Sequence, residues 1–136
     1  MSAAQDAKRV LFVGQRPETV DFSDPALPPG FDAEKIHAGI SFGMEHLAER
    51  GWQADLCLVS PDDSATEMLE HQLAAGPYDC IVIGGGIRIP PSSLLFFERL
   101  LNVVHKNAPT ASIAFNTAPQ DTADAAARWL EIPLPE

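Results

Sequence analysis

The sequence predicts an α/β protein, a three-layer sandwich in which helices cover both faces of a mostly parallel, four-stranded sheet of order 2-1-3-4. Two observations predict this fold class. Short apolar segments alternate with longer helical patterns four times along the chain, and such alternation favours right-handed crossovers between parallel strands. The third apolar segment has three β-branched residues in a row at 81–83, as expected for a strand covered on both faces.

The first half of the pattern begins with a strand predicted over residues 8–14, a short apolar run that ends at glycine. A turn-rich segment with four prolines follows at residues 15–31. The apolar spacing then predicts a helix over 32–50, with Asp32 as its N-cap and Gly51 just past its end.

The middle of the chain predicts two further strands separated by a helix. The second strand is expected over residues 53–60, and Asp63 or Ser64 is expected to cap the helix that follows. Ser64 and Glu67 have the spacing of a capping box. A Gly-Pro dipeptide ends this helix before the third strand, which is predicted over residues 78–84.

The last part of the chain predicts a helix from Pro90 to about Asn107, a fourth strand over residues 111–116, and a short helix from Asp121 through Leu130. Proline is well tolerated in a first helical turn. The 136 residues suit one domain, with an ordered core expected over about residues 8–130.

Composition excludes several classes of function. The formal net charge is −10, from nineteen acidic and nine basic residues, so we expect no nucleic-acid partner. No apolar run approaches the ~20 residues that span a bilayer, and no secretory signal is evident, so we expect no membrane association and a cytoplasmic location. Cys57 and Cys80 lie in apolar runs, which predicts buried thiols. No metal-ligand spacing or cofactor fingerprint is present, so neither group is expected.

This order of elements resembles the Rossmann-like three-layer proteins, including flavodoxin-like proteins and response-regulator receiver domains, over about residues 8–130. Receiver domains carry acids after the first strand and at the end of the third, and a late lysine. The corresponding positions here lie near Gly14, Gln15 and Gly84, and no lysine follows Lys106. A relative of receivers with these residues would not be phosphorylated in the usual way. The segment after Gly14 also lacks the hydroxyl residues of a flavodoxin phosphate loop.

The long segment at residues 15–31 is the first candidate for function. Connections between a strand and a helix in such folds usually run ~2–6 residues, and longer ones are often functional. This one leaves the carboxyl end of a strand, where open α/β sheets bind ligands. The alternative is a rigid cover in which Val20, Phe22 and Leu27 pack down onto the protein.

A second candidate is the segment from Gly84 to Arg88, since three glycines, Gly84, Gly85 and Gly86, can bring backbone N–H groups close to an anion. In the expected strand order this segment faces Gln15 and Arg16. Arg16 and Arg88 would then converge on a small anionic ligand. The alternatives pair Arg88 with Glu98, and Arg16 with Glu18 or Asp21.

Further polar residues complete the predicted site. Asn116 and Thr117 end the fourth strand and could orient a ligand, or could start the next loop through local turns. If chemistry occurs, Asp21 or Asp24 is the expected base, and His37 lies one turn into the following helix.

An apolar helix surface predicts a homodimer. The helix expected over residues 90–107 carries apolar residues over more than the usual stripe, namely Leu94, Leu95, Phe96, Phe97, Leu100, Leu101, Val103 and Val104. One side would cover the sheet and the other would contact a second copy, since twofold homodimers are the commonest oligomers. The alternative is burial under the final helix and Trp129, Ile132 and Leu134.

Two functions follow as predictions. The first is binding of a small anionic metabolite at the carboxyl ends of strands 1 and 3, extended to turnover if the carboxylates act as bases. The alternative is a non-catalytic, receiver-like interaction module that acts through a homodimer or partner face.

Glycines Gly39 and Gly43 are expected to permit close packing of the first helix on the sheet.

Overall fold

The sheet has the predicted order and direction. The structure, a computed structural model, describes residues 7–25, 27, 29–30 and 32–131. Within them four parallel strands pair in the order β2-β1-β3-β4, which confirms the predicted fold class. The strands are β1 (Arg9–Gln15), β2 (Gln53–Val59), β3 (Cys80–Ile83) and β4 (Ser112–Phe115).

Among the described residues, five α-helices connect and cover these strands. They are α1 (Ala33–Glu49), α2 (Ser64–Ala74), α3 (Gly85–Arg88), α4 (Leu94–Asn107) and α5 (Thr122–Leu130), with 3₁₀ turns at Pro17–Thr19, Pro91–Ser93 and Pro119–Asp121. The single turn of α3 falls where the sequence predicts only a glycine-rich loop. In the part of the chain that the structure describes, no helix is long and apolar enough to cross a membrane.

Successive residues of the central strands feed two separate cores. Leu11 and Ile81 belong to a core beneath α2 and α4, whereas Val10 and Val82 belong to a core beneath α1 and α5. Adjacent side chains of a strand point to opposite faces, so a strand covered on both sides must be apolar throughout. All four residues of β3 are buried, as its sequence predicts.

The ends of α1 match the prediction, and the start of α2 does not. Asp32 Oδ1 accepts a hydrogen bond from the Lys35 N–H at 2.8 Å, and Gly51 adopts a φ of +83°. Before α2, however, the capping carboxylate belongs to Asp62, whose Oδ1 accepts from the Ser64 N–H at 2.9 Å. Asp63 occupies the predicted N-cap position, but neither Asp63 nor Ser64 makes a side-chain cap bond, because the carboxylate of Asp62 takes the Ser64 N–H.

The helical glycines pack against a turn rather than against the sheet. A Cβ at Gly43 would lie 2.3 Å from the carbonyl oxygen of Pro119, and a Cβ at Gly39 would lie 2.8 Å from Nε2 of Gln120. Both neighbours belong to the 3₁₀ turn that follows β4. The expectation of close packing is therefore met by a different partner, which places this turn beside the middle of α1.

The final helix, which the sequence offers as a cover for α4, does not pack on α4. Helix α5 packs with α1 on the opposite face of the sheet from α4, so burial of α4 under the final helix is wrong. Trp129 is half-exposed on α5, and the predicted tail contacts, Ile132 and Leu134, lie outside the described residues. Leu94 and Leu95, at the start of α4, are 56% and 74% exposed.

Candidate ligand-binding site

A cavity of about 280 Å³ opens at the carboxyl edge of the sheet, beside the ends of β1 and β3. The segment between β1 and α1 forms one wall, the first turns of α1 form another, and the segments after β3 and β4 complete it. This is the crevice that the strand order predicts. The lining residues are Phe12, Gly14, Gln15, Val20, Leu27, Lys35, Ile36, Ile40, Gly84, Gly85, Gly86, Ile89, Pro90, Asn116, Thr117, Ala118, Pro119 and Gln120.

The long segment after β1 is built from successive turns that hold it beside the cavity. The Arg16 N–H donates to the Val59 carbonyl at 2.8 Å, and the Thr19 N–H donates to the Arg16 carbonyl at 2.9 Å. Further along, the Leu27 N–H donates to the Asp24 carbonyl at 3.0 Å. Val20 and Leu27 line the cavity without filling it, and Phe22 is 38% exposed. The segment is therefore a wall of the cavity.

The triple glycine brings backbone close to two neighbouring strands. A Cβ at Gly84 would lie 3.3 Å from the Val13 carbonyl oxygen, and a Cβ at Gly85 would lie 3.1 Å from the Thr117 carbonyl oxygen. Both contacts are tight for a side chain, which explains glycine at these two positions. A Cβ at Gly86 would meet nothing within 4 Å, so this third glycine leaves space at the cavity.

Asn116 holds the floor of the cavity together. Its side chain is buried, its Oδ1 accepts from the Gly85 N–H at 2.8 Å, and its Nδ2 donates to Thr122 Oγ1 at 2.9 Å. Thr122 Oγ1 in turn donates to the Pro119 carbonyl at 2.7 Å. Asn116 lines the cavity, yet its amide is engaged within the protein and ties β4 to α3 and α5.

The two predicted arginines do not line this cavity. Arg88 Nη2 donates to the Asn116 carbonyl at 3.0 Å, its guanidinium lies 5.5 Å from the centre of the Phe115 ring, and its buried Nε has no hydrogen-bond partner among the described residues. The side chain of Arg16 is exposed. Within the described ranges, the proposed ion pair of Arg88 with Glu98 is not formed.

Lys35 supplies the positive charge that reaches the cavity. It lies in the first turn of α1, and its Nζ donates to the Gly30 carbonyl at 2.6 Å. Gln15 and Gln120 add side-chain amides to the lining. Gln15 Nε2 donates to the carbonyl and the hydroxyl of Thr19, at 3.1 and 3.2 Å.

Thr117 lines the rim and faces an acid. Its backbone N–H donates to Asp121 Oδ1 at 3.0 Å, and its hydroxyl donates to Asp121 Oδ2. Asp121 therefore caps the 3₁₀ turn at Pro119–Asp121 rather than making a side-chain cap for α5. Thr117 therefore starts a local turn, which was the alternative to orienting a ligand, although it still borders the cavity.

The predicted bases lie around a second, adjoining cavity of about 290 Å³. Asp21 and Asp24 both line it, and it shares Gln15, Leu27 and Pro90 with the first cavity. Asp21 Oδ1 accepts from the Ser23 hydroxyl at 2.5 Å and from the Ser23 N–H at 3.0 Å. These hydrogen bonds lower the pKa of Asp21 below its ordinary value, which weakens it as a base near neutral pH.

His37 faces the loop instead of either cavity. Its Nε2 contacts Glu18 Oε2, and both side chains are about half-exposed. The hydrogen bond from His37 lowers the pKa of Glu18 below its ordinary value. The pair ties the 3₁₀ turn after β1 to the first turns of α1, so it shapes the wall of the cavity.

No family model and no curated protein matches this chain.

Sequence reasoning missed the lysine and the apolar lining. Lys35 sits at the start of the helix that follows the long loop, three residues after the Asp32 cap. That position places it at the carboxyl edge of the sheet, so the signal was present in the sequence. Ile36, Ile40 and Ile89 carry no chemical signature, and only the folded chain brings them together.

Proposed function

We propose that this protein binds a small anionic metabolite at the carboxyl ends of β1 and β3. The observation that carries the proposal is the cavity of about 280 Å³ at that edge, in which Lys35 is the only charged residue among the described lining residues. Ligand sites are concave, mostly apolar and supplied with a few polar groups. The protein is acidic overall, yet the one charged side chain among the described lining residues is a lysine. That lysine favours an anionic ligand.

The proposal gives each lining group a role. Lys35 would balance the charge, and the backbone of residues 84–86 would form the close surface beneath the ligand. Gln15 and Thr117 would donate to the ligand only by giving up hydrogen bonds that they now make to Thr19 and Asp121. Asn116 would act by holding Gly85 in place. A contact from Arg88 would require it to leave the Asn116 carbonyl, and a contact from Arg16 would require its exposed side chain to swing inward.

The class of fold agrees with a ligand at this edge. A 2-1-3-4 order is the order of the first four strands of flavodoxin-like proteins, which bind ligands where the chain winds outward in opposite directions. We therefore place the chain with the Rossmann-like three-layer proteins as part of the proposal. Turnover is a further step, for which Asp24 and Asp21 beside the adjoining cavity are the candidate bases.

The space beside Gly86 allows a direct test. Gly86→Phe should fill the mouth of the cavity without a backbone clash, and Gly86→Ala adds only a methyl group where nothing lies within 4 Å. Titrations with inorganic phosphate, citrate and hexanoate are followed by the amide NMR shifts of Gln15, Gly85 and Thr117. We expect at least one anion to shift these amides in the native protein and in Gly86→Ala, and to bind at least tenfold more weakly in Gly86→Phe. Shifts that are absent throughout, or unchanged in Gly86→Phe, would refute the proposal.

A receiver-like interaction module is the alternative, and one observation favours it. Leu94 and Leu95 are adjacent and more than half-exposed at the start of α4, and Ile89 nearby in the sequence is 51% exposed. Such side chains could bury against a second copy of the chain. Sedimentation equilibrium at micromolar concentrations tests this function: a homodimer that Leu95→Glu dissociates supports it, and a monomer contradicts it. Met68→Glu on α2, where Met68 is 41% exposed, is the matched control.

A further inference from the structure

The walls of the cavity are more apolar than a site for a simple inorganic anion needs to be. Phe12 comes from β1, Leu27 from the loop, Ile36 and Ile40 from α1, and Ile89 from the segment after α3. Phe12 and Ile40 are already almost fully buried, whereas Leu27 and Ile36 are partly exposed and Ile89 is 51% exposed. A ligand that lacked an apolar part would leave the exposed surface of Leu27, Ile36 and Ile89 against water. Burial of apolar surface favours binding in proportion to the apolar area that the ligand and the protein together remove from water.

Only one charged side chain of the described residues lines the cavity. Lys35 is its one charged member among the described residues, and no carboxylate of the described chain lies within ion-pair distance of the ammonium group. One of its donors is given to the Gly30 carbonyl, and an ammonium group has three. A ligand with one carboxylate would be matched, whereas each further charge would enter an apolar space without a partner.

We propose that the ligand is a monocarboxylate with an apolar body, in which the carboxylate binds Lys35 and the body lies against the isoleucines of α1. This inference rests on the proposed function and narrows its ligand class. A dry apolar cavity of about 150 Å³ holds one benzene molecule. By proportion, a space of about 280 Å³ accommodates roughly ten or eleven non-hydrogen atoms.

The experiment uses a series of straight-chain carboxylates as probes: acetate, butanoate, hexanoate and octanoate. Binding to the full chain is measured from the amide shifts of Gln15, Gly85 and Thr117. We expect the affinity to rise about fourfold for each added methylene until the cavity is full. Hexanoate should bind more tightly than 1-hexanol, which has the same chain length and no charge. Chain length that leaves the affinity unchanged would overturn the apolar body.

Variants of Lys35 test the carboxylate contact. Lys35→Met should weaken hexanoate about fivefold to tenfold and leave 1-hexanol unchanged, since only the charged contact is removed. Lys35→Arg should restore most of the preference for hexanoate. Lys106→Met, a matched change at another exposed lysine, should affect neither probe. A preference for hexanoate that survives in Lys35→Met would overturn the assignment of Lys35.

Failure of this inference is distinguishable from failure of the proposed function. If inorganic phosphate or citrate shifts the cavity amides while the carboxylate series does not, the monocarboxylate is wrong and the anion site stands. If no anion in either set shifts them, both the monocarboxylate and the anion site are wrong.

Discussion

At the scale of single residues, the side chain of Asn116 is the main connection that holds the site together. Three elements meet at its side chain, because Oδ1 accepts from Gly85 in α3 and Nδ2 donates to Thr122 at the start of α5. We expect Asn116→Ala to lower the free energy of unfolding by about 1–3 kcal/mol, since the buried Gly85 N–H would lose its partner. Urea unfolding measures this. The same change should displace the amide resonance of Gly85 in the folded protein.

Asn102→Ala provides the control for that measurement. Asn102 is an exposed residue of α4 whose Nδ2 donates to the Glu98 carbonyl of the same helix. Its replacement should change the free energy of unfolding by less than about 0.5 kcal/mol. If Asn116→Ala were as mild as this control, Asn116 would be available to a ligand and the structural role described above would be wrong.

The residues also show where prediction from sequence ends. Placement of Gln15 and Gly84–Gly86 at one cavity followed from strand order, because the carboxyl ends of neighbouring parallel strands share an edge. The contacts of the Arg88 side chain did not follow from the strand order. Its guanidinium binds a carbonyl 28 residues away in the chain and lies over the Phe115 ring. No local pattern could predict that contact.

At the scale of elements, the meeting of α1 with the 3₁₀ turn at Pro119–Asp121 positions one side of the cavity. A Cβ at Gly43 would lie 2.3 Å from a backbone oxygen, which cannot move without shifting the turn, whereas a Cβ at Gly39 would meet only the flexible end of Gln120. We expect Gly43→Ala to lower the free energy of unfolding by about 2–3 kcal/mol. Gly39→Ala should change it by less than about 1 kcal/mol, because improved helix propensity offsets the movement of Gln120.

Urea unfolding of both variants distinguishes close packing from helix propensity. Propensity alone would make both alanine variants more stable than the parent, and by similar amounts. Such a result would mean that α1 and the turn are not in contact as described. Gly39→Ala has a second use, since Gln120 lines the cavity and its displacement should alter the binding of hexanoate.

Elements with a clear apolar pattern were predicted to within a few residues, whereas the single turn of α3 was not. Strand β3 and helix α1 have patterns that only one arrangement satisfies. Helix α3 was missed because Gly85 and Gly86 are poor helix formers. The Asn116 amide, which accepts from Gly85 31 residues earlier in the chain, stabilises its first turn. Long-range hydrogen bonds of this kind override local propensity and leave no local trace in the sequence.

Across the whole molecule, two cores share one sheet, and each contains one of the cysteines. Cys57 on β2 belongs to the core beneath α2 and α4, and Cys80 on β3 belongs to the core beneath α1 and α5. Both thiols are unpaired and buried. Burial raises the pKa of Cys57 to about 11 and that of Cys80 to about 12. Because the thiolate is the reactive form, neither thiol should react in the folded state at pH 8.

We expect the two thiols to become reactive in a single unfolding event. Neither core can open far without disturbing the strands that serve the other, so the opening free energies of Cys57 and Cys80 should agree within about 1 kcal/mol. Both should equal the value from urea unfolding. Labelling with Ellman's reagent measures each opening separately in the variants Cys80→Ala and Cys57→Ala, once each variant's own stability has been determined. A Cys57 that opens at several kcal/mol below the global value would show that β2 separates from an otherwise intact sheet. Among the described strands, β2 lies at the edge and pairs with β1 alone.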